Sequence, residues 1–330
     1  MMNKEQSLQL KGVAILMMLW LHLFNTAERV GECTTLINYF NGKPLAFALA
    51  RVCGMCVPIY LFISGYGMAK AQDLEGRATG RRLWRVYSRF WLVFALFIPL
   101  ACWLKPDTYP DSWTALLLNF LSLDVSYNAE WWFMLPWVFL IVAARWVVPF
   151  VKSNGSWTNL LFFLVLFALL VDHKRPQILM GDTMFATYLS RLMVVMPAFF
   201  AGICMGSKDH WPGMGRYPAI VVLLLCMVRG MLGPSDVNVL FAVPLIVLFT
   251  QCRVPQWLQS LLALFGRYSI YMWLTHTFYA YYLFHDELYS LRYPLLMYLV
   301  LVAVSLVTAA LLDKLYRWVE SVIKPKKEMK

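Results

Sequence analysis

The stretch SLQLKGVAILMMLWLHLFN, residues 7–25, is long and apolar enough to cross a lipid bilayer as a helix. Its only ionisable side chains are Lys11 and His22, eleven positions apart. Eleven steps of about 100° amount to roughly three turns plus 20°, so both side chains project from one face of the helix. They lie about 16 Å apart along its axis, at about 1.5 Å per residue. The pattern predicts a membrane helix with a cation near one end and an imidazole deep inside.

The rest of the chain repeats this apolar pattern. Of 330 residues, 61% are hydrophobic and 14% are charged, which excludes a disordered chain and an ordinary soluble enzyme. The sequence predicts one domain over residues 1–330, an all-α polytopic integral membrane helix bundle of about ten transmembrane helices. The predicted spans are 7–25, 45–69, 84–104, 131–149, 157–172, 184–206, 217–233, 237–251, 258–283 and 293–315, with 113–123 as a re-entrant or interfacial segment.

The basic residues predict the orientation of these spans. The net charge is +11, and the lysines and arginines lie mainly in short gaps between apolar runs, which indicates membrane topology rather than nucleic-acid binding. With both termini in the cytoplasm, the predicted inner segments hold 17 of these cations and the outer loops hold 7. No cleavage-site pattern follows Phe24, so the first span is expected to remain in the mature protein.

The chain offers no separate catalytic domain and no metal or redox motif that stands out. The gaps between spans are too short for a folded domain, so any chemistry is expected among the helices. Cys53 and Cys56 form a C-x-x-C inside an apolar run, where packing of small residues between helices is the favoured interpretation. We therefore expect no metal and no bound cofactor.

Ionisable residues inside spans are the strongest functional candidates, since each costs roughly 2.5–3.5 kcal/mol at the centre of a span. The set consists of Lys11, His22, Arg51, Arg89, Arg191, Arg267 and His276. No acidic residue lies firmly within a span, although Glu130 at a span end could supply one partner. This excess of cations predicts an anionic ligand. The structural alternative is that Lys11 extends to lipid headgroups and His22 bonds a neighbouring helix.

The segment GRRLWRVYSRF, residues 80–90, places a stripe of arginines at the start of the third span. Arg81, Arg85 and Arg89 share one helical face. The guanidinium group suits phosphate because it binds in a bidentate manner. Contact with anionic lipid is the alternative, favoured for Arg81, but it explains the deeper Arg89 less well.

Three further segments combine polar and aromatic residues. The second span ends in VPIYLFISGYG, where Ser64 and the glycine after it are typical of close helix packing. WWFMLPW follows Glu130, and its tryptophans, including Trp132, are also typical of an interfacial aromatic belt. GRYSIYMWLTH places Tyr271 and His276 in the ninth span.

Taken in chain order, these segments resemble the acyltransferase-3 family of membrane acyltransferases, of the polysaccharide O-acetyltransferase type. KGVAILMMLWLH resembles its first-span signature of a basic residue and a histidine, and PIYLFISGYG its second-span phrase. RRLWR resembles its Arg-x-x-Arg, EWWFMLPW its Trp-Phe-Leu segment, and RLMVVMPAFFAGICMG and GRYSIYMWLTH its later spans. The similarity runs from residue 8 to about 283. The chain departs from the family at Lys11, where arginine is commoner, at Leu8, where aspartate is frequent, and near Ser88, where proline is frequent.

The resemblance implies an enzyme of the bacterial plasma (inner) membrane that transfers an acyl group, most often acetyl, in an O-acetylation reaction. The donor is cytoplasmic acyl-CoA as co-substrate, and the acceptor is a hydroxyl of a cell-surface or lipid-linked carbohydrate. The expected partners are therefore acyl-CoA, a carbohydrate acceptor and membrane lipids, with no nucleic acid. The resemblance also implies that His22 is the essential histidine, Lys11 its basic partner, and Arg82 and Arg85 the Arg-x-x-Arg.

A mechanism follows as a hypothesis. The CoA phosphates bind Arg82, Arg85 and Arg89, and His22 acts as general base on the acceptor hydroxyl. The developing oxyanion or the acceptor is contacted by one or more of Ser64, Glu130, Trp132, Arg191, Tyr271 and His276, among which the sequence does not choose. Ser64 as a covalent acyl carrier is an alternative. A transporter or flippase for an anionic solute or lipid-linked sugar is the alternative class, and it predicts broken helices and paired repeats. A scaffold protein would leave His22 without a purpose.

Overall fold

The computed structural model describes residues 1–33, 44–211, 213, 217–233 and 235–323. Over these ranges the regular structure is helical and contains no strand, which confirms the all-α prediction. A 3₁₀ turn, Ala129–Phe133, precedes the seventh helix, and a π-helical segment, Phe278–Tyr282, follows the thirteenth. The α-helices are α1 Lys4–Phe24, α2 Ala27–Gly31, α3 Leu45–Cys53, α4 Cys56–Ala69, α5 Gly76–Leu104, α6 Trp113–Phe120, α7 Met134–Ser153, α8 Ser156–Val171, α9 Arg175–Met180, α10 Met184–Gly206, α11 Pro218–Met231, α12 Asn238–Phe249, α13 Gln256–Thr277, α14 His285–Tyr289 and α15 Pro294–Ile323.

Several helices have the length and composition of membrane spans. Six segments of the described chain meet both requirements: Lys4–Phe24, Leu45–Ala69, Gly76–Leu104, Ala129–Ser153, Met184–Gly206 and Pro294–Ile323. Helices α8, α11 and α12 are apolar but shorter. Helix α13 has 22 residues and carries Arg267 and His276. Each of the ten predicted spans is thus helical, while the count of ten crossings stays a prediction.

The cytoplasmic location of the termini also stays a prediction. Several cations that support it lie outside the described residues, namely Arg216, Lys324, Lys326, Lys327 and Lys330, as does Lys43 of the first outer loop. The predicted interfacial segment 113–123 contains the short helix α6.

The outward faces of the bundle are apolar. On α8 only Leu170 is buried, whereas Leu161 and its apolar neighbours are exposed. Trp157 is 85% exposed and Trp103 is 78% exposed. Contiguous apolar surface of this extent is unusual for a soluble monomer, and lipid covers it in a membrane protein. The chain is an integral membrane protein.

Two glycines allow α1 and α13 to pack with their backbones in contact. A Cβ added at Gly12 would lie 2.0 Å from the carbonyl oxygen of Leu262, and one added at Gly266 would lie 1.9 Å from that of Leu8. Any side chain at either position would force the helices apart. Small residues serve this purpose at many membrane helix crossings.

Helices α1 and α13 run in the same direction. Near their first turns, Gln9 Nε2 lies 3.4 Å from Gln259 Oε1, and near their last turns His22 contacts His276. A ten-span path requires this, since the first and ninth spans must be parallel. The pair therefore brings the polar residues of two distant segments to one level of the membrane.

Helices α4 and α10 form a second pair with their backbones in contact, and α4 carries the predicted site residue Ser64. A Cβ at Gly65 would lie 2.0 Å from the Phe199 carbonyl oxygen, and one at Gly202 would lie 2.1 Å from that of Phe62. Ser64, next to the first of these glycines, is thereby held at a fixed position relative to the bundle.

Candidate active site

Six elements (α1, α4, α5, the 3₁₀ turn, α7 and α13) line a cavity of about 210 Å³ that contains five of the eleven predicted site residues. Lys11 and His22 of α1 line the same wall, as their eleven-residue spacing predicts. Helix α4 contributes Ser64, and the segment before α7 contributes Glu130 and Trp132. The structure thus brings together residues from three of the predicted spans.

The imidazole of His22 contacts a carboxylate. His22 Nε2 lies 3.2 Å from Glu130 Oε2, and the two side chains are 8% and 23% exposed. No acidic residue lies firmly inside a predicted span, and the 3₁₀ turn Ala129–Phe133 is the element that places the Glu130 carboxylate beside His22. The partner of His22 on this side is therefore Glu130.

A second imidazole lies behind the first. His22 Nδ1 is 2.6 Å from Nε2 of His276, and the two rings are nearly coplanar, with an interplanar angle of 7°. His276 is completely buried and does not line the cavity. Its Nδ1 lies 3.0 Å from the Met272 carbonyl oxygen and 2.9 Å from that of Trp273. Glu130, His22 and His276 form a hydrogen-bonded chain, which we call the His–His–Glu chain.

The end of α1 that carries His22 is fixed by side chains from two other elements. Arg29 Nη1 donates to the His22 carbonyl oxygen at 3.0 Å, to Asn25 Oδ1 at 2.7 Å and to the Tyr281 hydroxyl at 2.7 Å. The Tyr281 hydroxyl also donates to the His22 carbonyl oxygen. The Arg29 guanidinium stacks 3.9 Å above the Tyr281 ring. These contacts satisfy a carbonyl that the helix end leaves unpaired.

The turn that carries Glu130 is tied to α13 by three donors. Trp131 Nε1 donates to the Leu274 carbonyl oxygen at 3.1 Å, and Trp273 Nε1 donates to the Glu130 carbonyl oxygen at 3.2 Å. Asn128 Nδ2 donates to Thr277 Oγ1 at 2.7 Å. The carboxylate and both imidazoles therefore belong to one rigid unit built around α13.

Aromatic rings and hydroxyls form the remaining cavity wall. Four aromatic side chains line it in addition to Tyr60: Trp132, Phe133, Trp137 and Trp273. The Tyr60 hydroxyl donates to the Lys11 carbonyl oxygen at 3.1 Å, and Ser64 and Ser269 also line the cavity. An apolar wall with a few convergent polar groups is typical of small-molecule sites.

Lys11 is the only lysine among the residues that line this cavity. Within the described part of the chain, its ammonium has no hydrogen-bond or ion-pair partner. The guanidinium of Arg85 lies near enough for its charge to act on Lys11. A partly buried cation without a partner, beside a second cation, favours an anionic ligand.

The three arginines predicted to bind phosphate differ in their position relative to the cavity. Arg82 lies one turn before Val86, which lines the cavity, and its Nη2 donates to the Asp73 carbonyl oxygen at 2.8 Å. Arg85 is exposed. Arg89 points away from the cavity, because its guanidinium lies 4.6 Å from the ring centroid of Tyr316 on α15.

Two predicted contacts do not reach the cavity. The Arg191 guanidinium lies 5.6 Å from the ring centroid of Tyr188, and neither Arg191 nor Tyr271 is among the residues that line the cavity. Arg29 and Asn128, which hold the ends of the two contributing segments, were not predicted. Arg29 lies in the five-residue helix α2 and Asn128 in the loop before the 3₁₀ turn, and segments this short give no signal of apolar periodicity.

The described residues include a larger crevice, of about 540 Å³, between α7, α8, α10 and α12. It is lined by Lys152 and Lys208 among others, and it contains none of the predicted site residues. In the described part of the chain, no three histidine, cysteine or acidic residues are grouped closely enough to hold a metal ion.

Comparison with known proteins identifies the family. The acyltransferase-3 family, described as an acyltransferase domain, matches residues 8–314, which is nearly the whole chain. No curated protein and no solved structure matches the chain significantly. The match covers both segments that carry the histidines and the turn between α6 and α7. On this evidence the chain belongs to the acyltransferase-3 family and is a membrane acyltransferase.

Proposed function

We propose that this protein moves an acyl group, preferably acetyl, from cytoplasmic acyl-CoA to a hydroxyl of a cell-surface or lipid-linked carbohydrate. The observation that carries the proposal is the shared cavity, in which an imidazole–carboxylate contact of 3.2 Å lies on the same wall as an unpartnered ammonium. The first can move a proton, and the second can bind an anion. Family membership supplies the reaction class.

The donor enters at the Lys11 end. In this proposal Lys11 and Arg85 attract the phosphates of CoA, and Arg82, one turn before the cavity-lining Val86, assists them. The thioester arm extends toward His22, about 16 Å deeper along α1. A cavity of about 210 Å³ favours a short acyl group over a fatty chain, since a long chain would need space that packed helices occupy.

The acceptor binds against the aromatic wall. Trp132, Trp137 and Trp273 present flat apolar faces that suit the C–H face of a sugar ring, and Ser64 and Ser269 offer hydroxyls to its polar edge. The acceptor hydroxyl then meets the His22–Glu130 pair, which takes its proton as it attacks the thioester carbonyl. Proton transfer of this kind typically contributes 10²–10⁴-fold to the rate.

The membrane is proposed to be the bacterial plasma membrane, with acyl-CoA on its cytoplasmic side. In this proposal the helix bundle binds both substrates, because the gaps between the predicted spans are too short to form a soluble domain. Donor and acceptor therefore approach the His–His–Glu chain from opposite ends of the cavity.

Acyl transfer by purified protein tests the proposal. The protein in detergent is incubated with labelled acetyl-CoA and a panel of soluble glycans, and both CoA release and glycan label are measured. His22→Ala should lower transfer at least 10²-fold without changing expression or elution volume. Arg85→Ala should raise KM for acetyl-CoA. Arg81→Ala serves as the matched control, because within the described residues Arg81 pairs with the carboxylate of Asp73, at 3.8 Å, and both side chains are exposed.

Two outcomes would contradict the proposal. One is undiminished transfer by His22→Ala, which would remove the proton-transfer role. The other is an equal effect of the Arg81 and Arg85 variants on KM, which would leave only a general surface charge.

A transporter or flippase remains the second candidate, and one observation favours it. Within the single span Leu45–Ala69, helices α3 and α4 are joined by a turn at Gly54 and Met55, where Met55 N donates to Val52 O, three residues before it instead of four. Broken helices occur in transporters, but the paired repeats that accompany them are not detectable in the sequence. Uptake of glycan into proteoliposomes without CoA consumption would support this candidate over the transferase.

A further inference from the structure

We infer that the His–His–Glu chain stores one proton at rest, with His22 as an imidazolium between His276 and the Glu130 carboxylate. In the transfer step Glu130 accepts the proton of the acceptor hydroxyl, and His22 gives its own proton to the departing CoA sulfur. His276 is a positioning residue that fixes which nitrogens carry protons. The inference deepens the proposed function and rests on it for the catalytic step.

The buried end of the chain determines the tautomer of His276. Its Nδ1 faces the carbonyl oxygens of Met272 and Trp273, at 3.0 and 2.9 Å. Carbonyl oxygens accept hydrogen bonds and cannot donate, so Nδ1 must carry a hydrogen. Neutral His276 then has a lone pair on Nε2, and this atom faces His22.

His22 must accordingly donate from Nδ1 to His276. The N···N distance of 2.6 Å and the nearly coplanar rings require one hydrogen between the two atoms. If His22 were neutral, its only hydrogen would be on Nδ1, and Nε2 would present a lone pair. That lone pair would face Glu130 Oε2 at 3.2 Å, where two acceptors would oppose each other.

A second hydrogen on His22 removes this conflict. A hydrogen bond at both contacts, His22–His276 and His22–Glu130, requires one proton more than the three groups carry when both imidazoles are neutral and Glu130 is ionised. We assign the imidazolium beside a carboxylate, because the two opposite charges lie 3.2 Å apart and the Arg29 guanidinium is bound nearby, at the His22 carbonyl oxygen. The other titratable groups that face the chain are Cys56, Tyr281 and Tyr282, and Lys11 lines the same cavity.

With one stored proton, every bond and every proton in the transfer step is accounted for. The acceptor oxygen forms a bond to the thioester carbonyl carbon while its hydrogen passes to Glu130, and the carbon–sulfur bond breaks with its electron pair on sulfur. His22 Nε2–H then protonates the sulfur to give the free CoA thiol. The hydrogen on Glu130 passes across the 3.2 Å contact to His22, which restores the resting chain. Base and acid are thus adjacent groups with separate roles, as in other enzymes that pair two titratable groups.

Solid-state ¹⁵N NMR of histidine-labelled protein tests the resting state without any need for activity. The chain has five histidines, and replacing His173, His210 and His285 leaves the two of interest. At pH 7 we expect three protonated nitrogens, among them both of His22, and one bare nitrogen, Nε2 of His276. In Glu130→Gln the amide can donate to His22 Nε2, so a second bare-nitrogen signal should appear. A second bare nitrogen in the otherwise unaltered protein would overturn the inference.

The pH dependence of kcat tests the catalytic assignment. If the active chain holds one stored proton, the reaction needs both a proton acceptor and a proton donor, so kcat falls at low pH and again at high pH. A neutral His22 acting as sole base would instead give a plateau at high pH, and that result would refute the assignment. His276→Leu should move the alkaline limb to lower pH, because imidazolium loses its acceptor, whereas a purely structural role would lower kcat without moving the limb. Absence of transfer by the unaltered protein would refute the proposed function and leave the NMR result standing.

Discussion

Substituting Gly266 by alanine should break the hydrogen bond between His22 and His276, although His276 lies ten residues further along α13. The new Cβ would lie 1.9 Å from the Leu8 carbonyl oxygen, and ordinary contact begins at 3.4 Å, so α1 and α13 must separate by about 1.5 Å. His276 follows ten residues later, about 15 Å along the helix. If the separation reaches that level, the His22–His276 distance grows from 2.6 Å to about 4.1 Å, which is too long for a hydrogen bond.

The expected result is a loss of kcat of about 10²-fold, since a misplacement of about 1 Å at a reacting group costs that much. The assay is acetyl transfer by purified protein, normalised to the fraction that elutes as a folded monodisperse species. Gly67→Ala is the matched control, because its Cβ would meet nothing within 4 Å on the exposed side of α4. A folded Gly266→Ala protein with kcat within about threefold of the unaltered enzyme would show that the histidine contact does not limit catalysis.

Three further substitutions separate the roles of the cavity residues. Lys11→Met should raise KM for acyl-CoA by about 10–100-fold, the worth of one hydrogen bond to a charged group, and should weaken the salt dependence of KM in steady-state assays. Ser64→Ala should lower kcat by less than about tenfold, and intact-protein mass spectrometry should detect no acyl adduct on the unaltered protein or on the variant. An adduct present on the unaltered protein and absent from the variant would instead establish Ser64 as a covalent carrier. Arg29→Lys retains the charge but not the planar fork that reaches the His22 carbonyl, Asn25 and Tyr281, so we expect a lower kcat with unchanged KM and a lower melting temperature.

Much of the site was predictable from the first span alone. The spacing of Lys11 and His22 follows from helix geometry, and both line one cavity as predicted. The helical assignment of each apolar segment was also predictable, because about 20 apolar residues admit few other structures in lipid. These inferences rely on local periodicity, which does not depend on tertiary contacts.

The partners of His22 were not predictable in the same way. Glu130 enters the cavity from a 3₁₀ turn whose position depends on Asn128 and on indole donors to α13. Hydrogen bonds between distant segments leave no periodic signal in the chain. For the same reason Arg191 and Tyr271, which lie inside predicted spans like His22, could not be assigned to one side of the bundle before the packing was known.

One signal for the histidine pair is nevertheless present in the sequence. GVAILMMLWLH and GRYSIYMWLTH both begin with the glycine of the helix crossing, Gly12 or Gly266, and both end with a histidine ten residues later. In two parallel helices that touch at these glycines, equal spacing places the two histidines at the same height and on corresponding faces. The backbone contact at Gly12 and Gly266 fixes the register of the two helices. This register places His22 against His276 about 15 Å further along. A chain that uses a crossing in this way can position two buried imidazoles against each other without any acidic residue between the crossing glycine and the histidine of either helix.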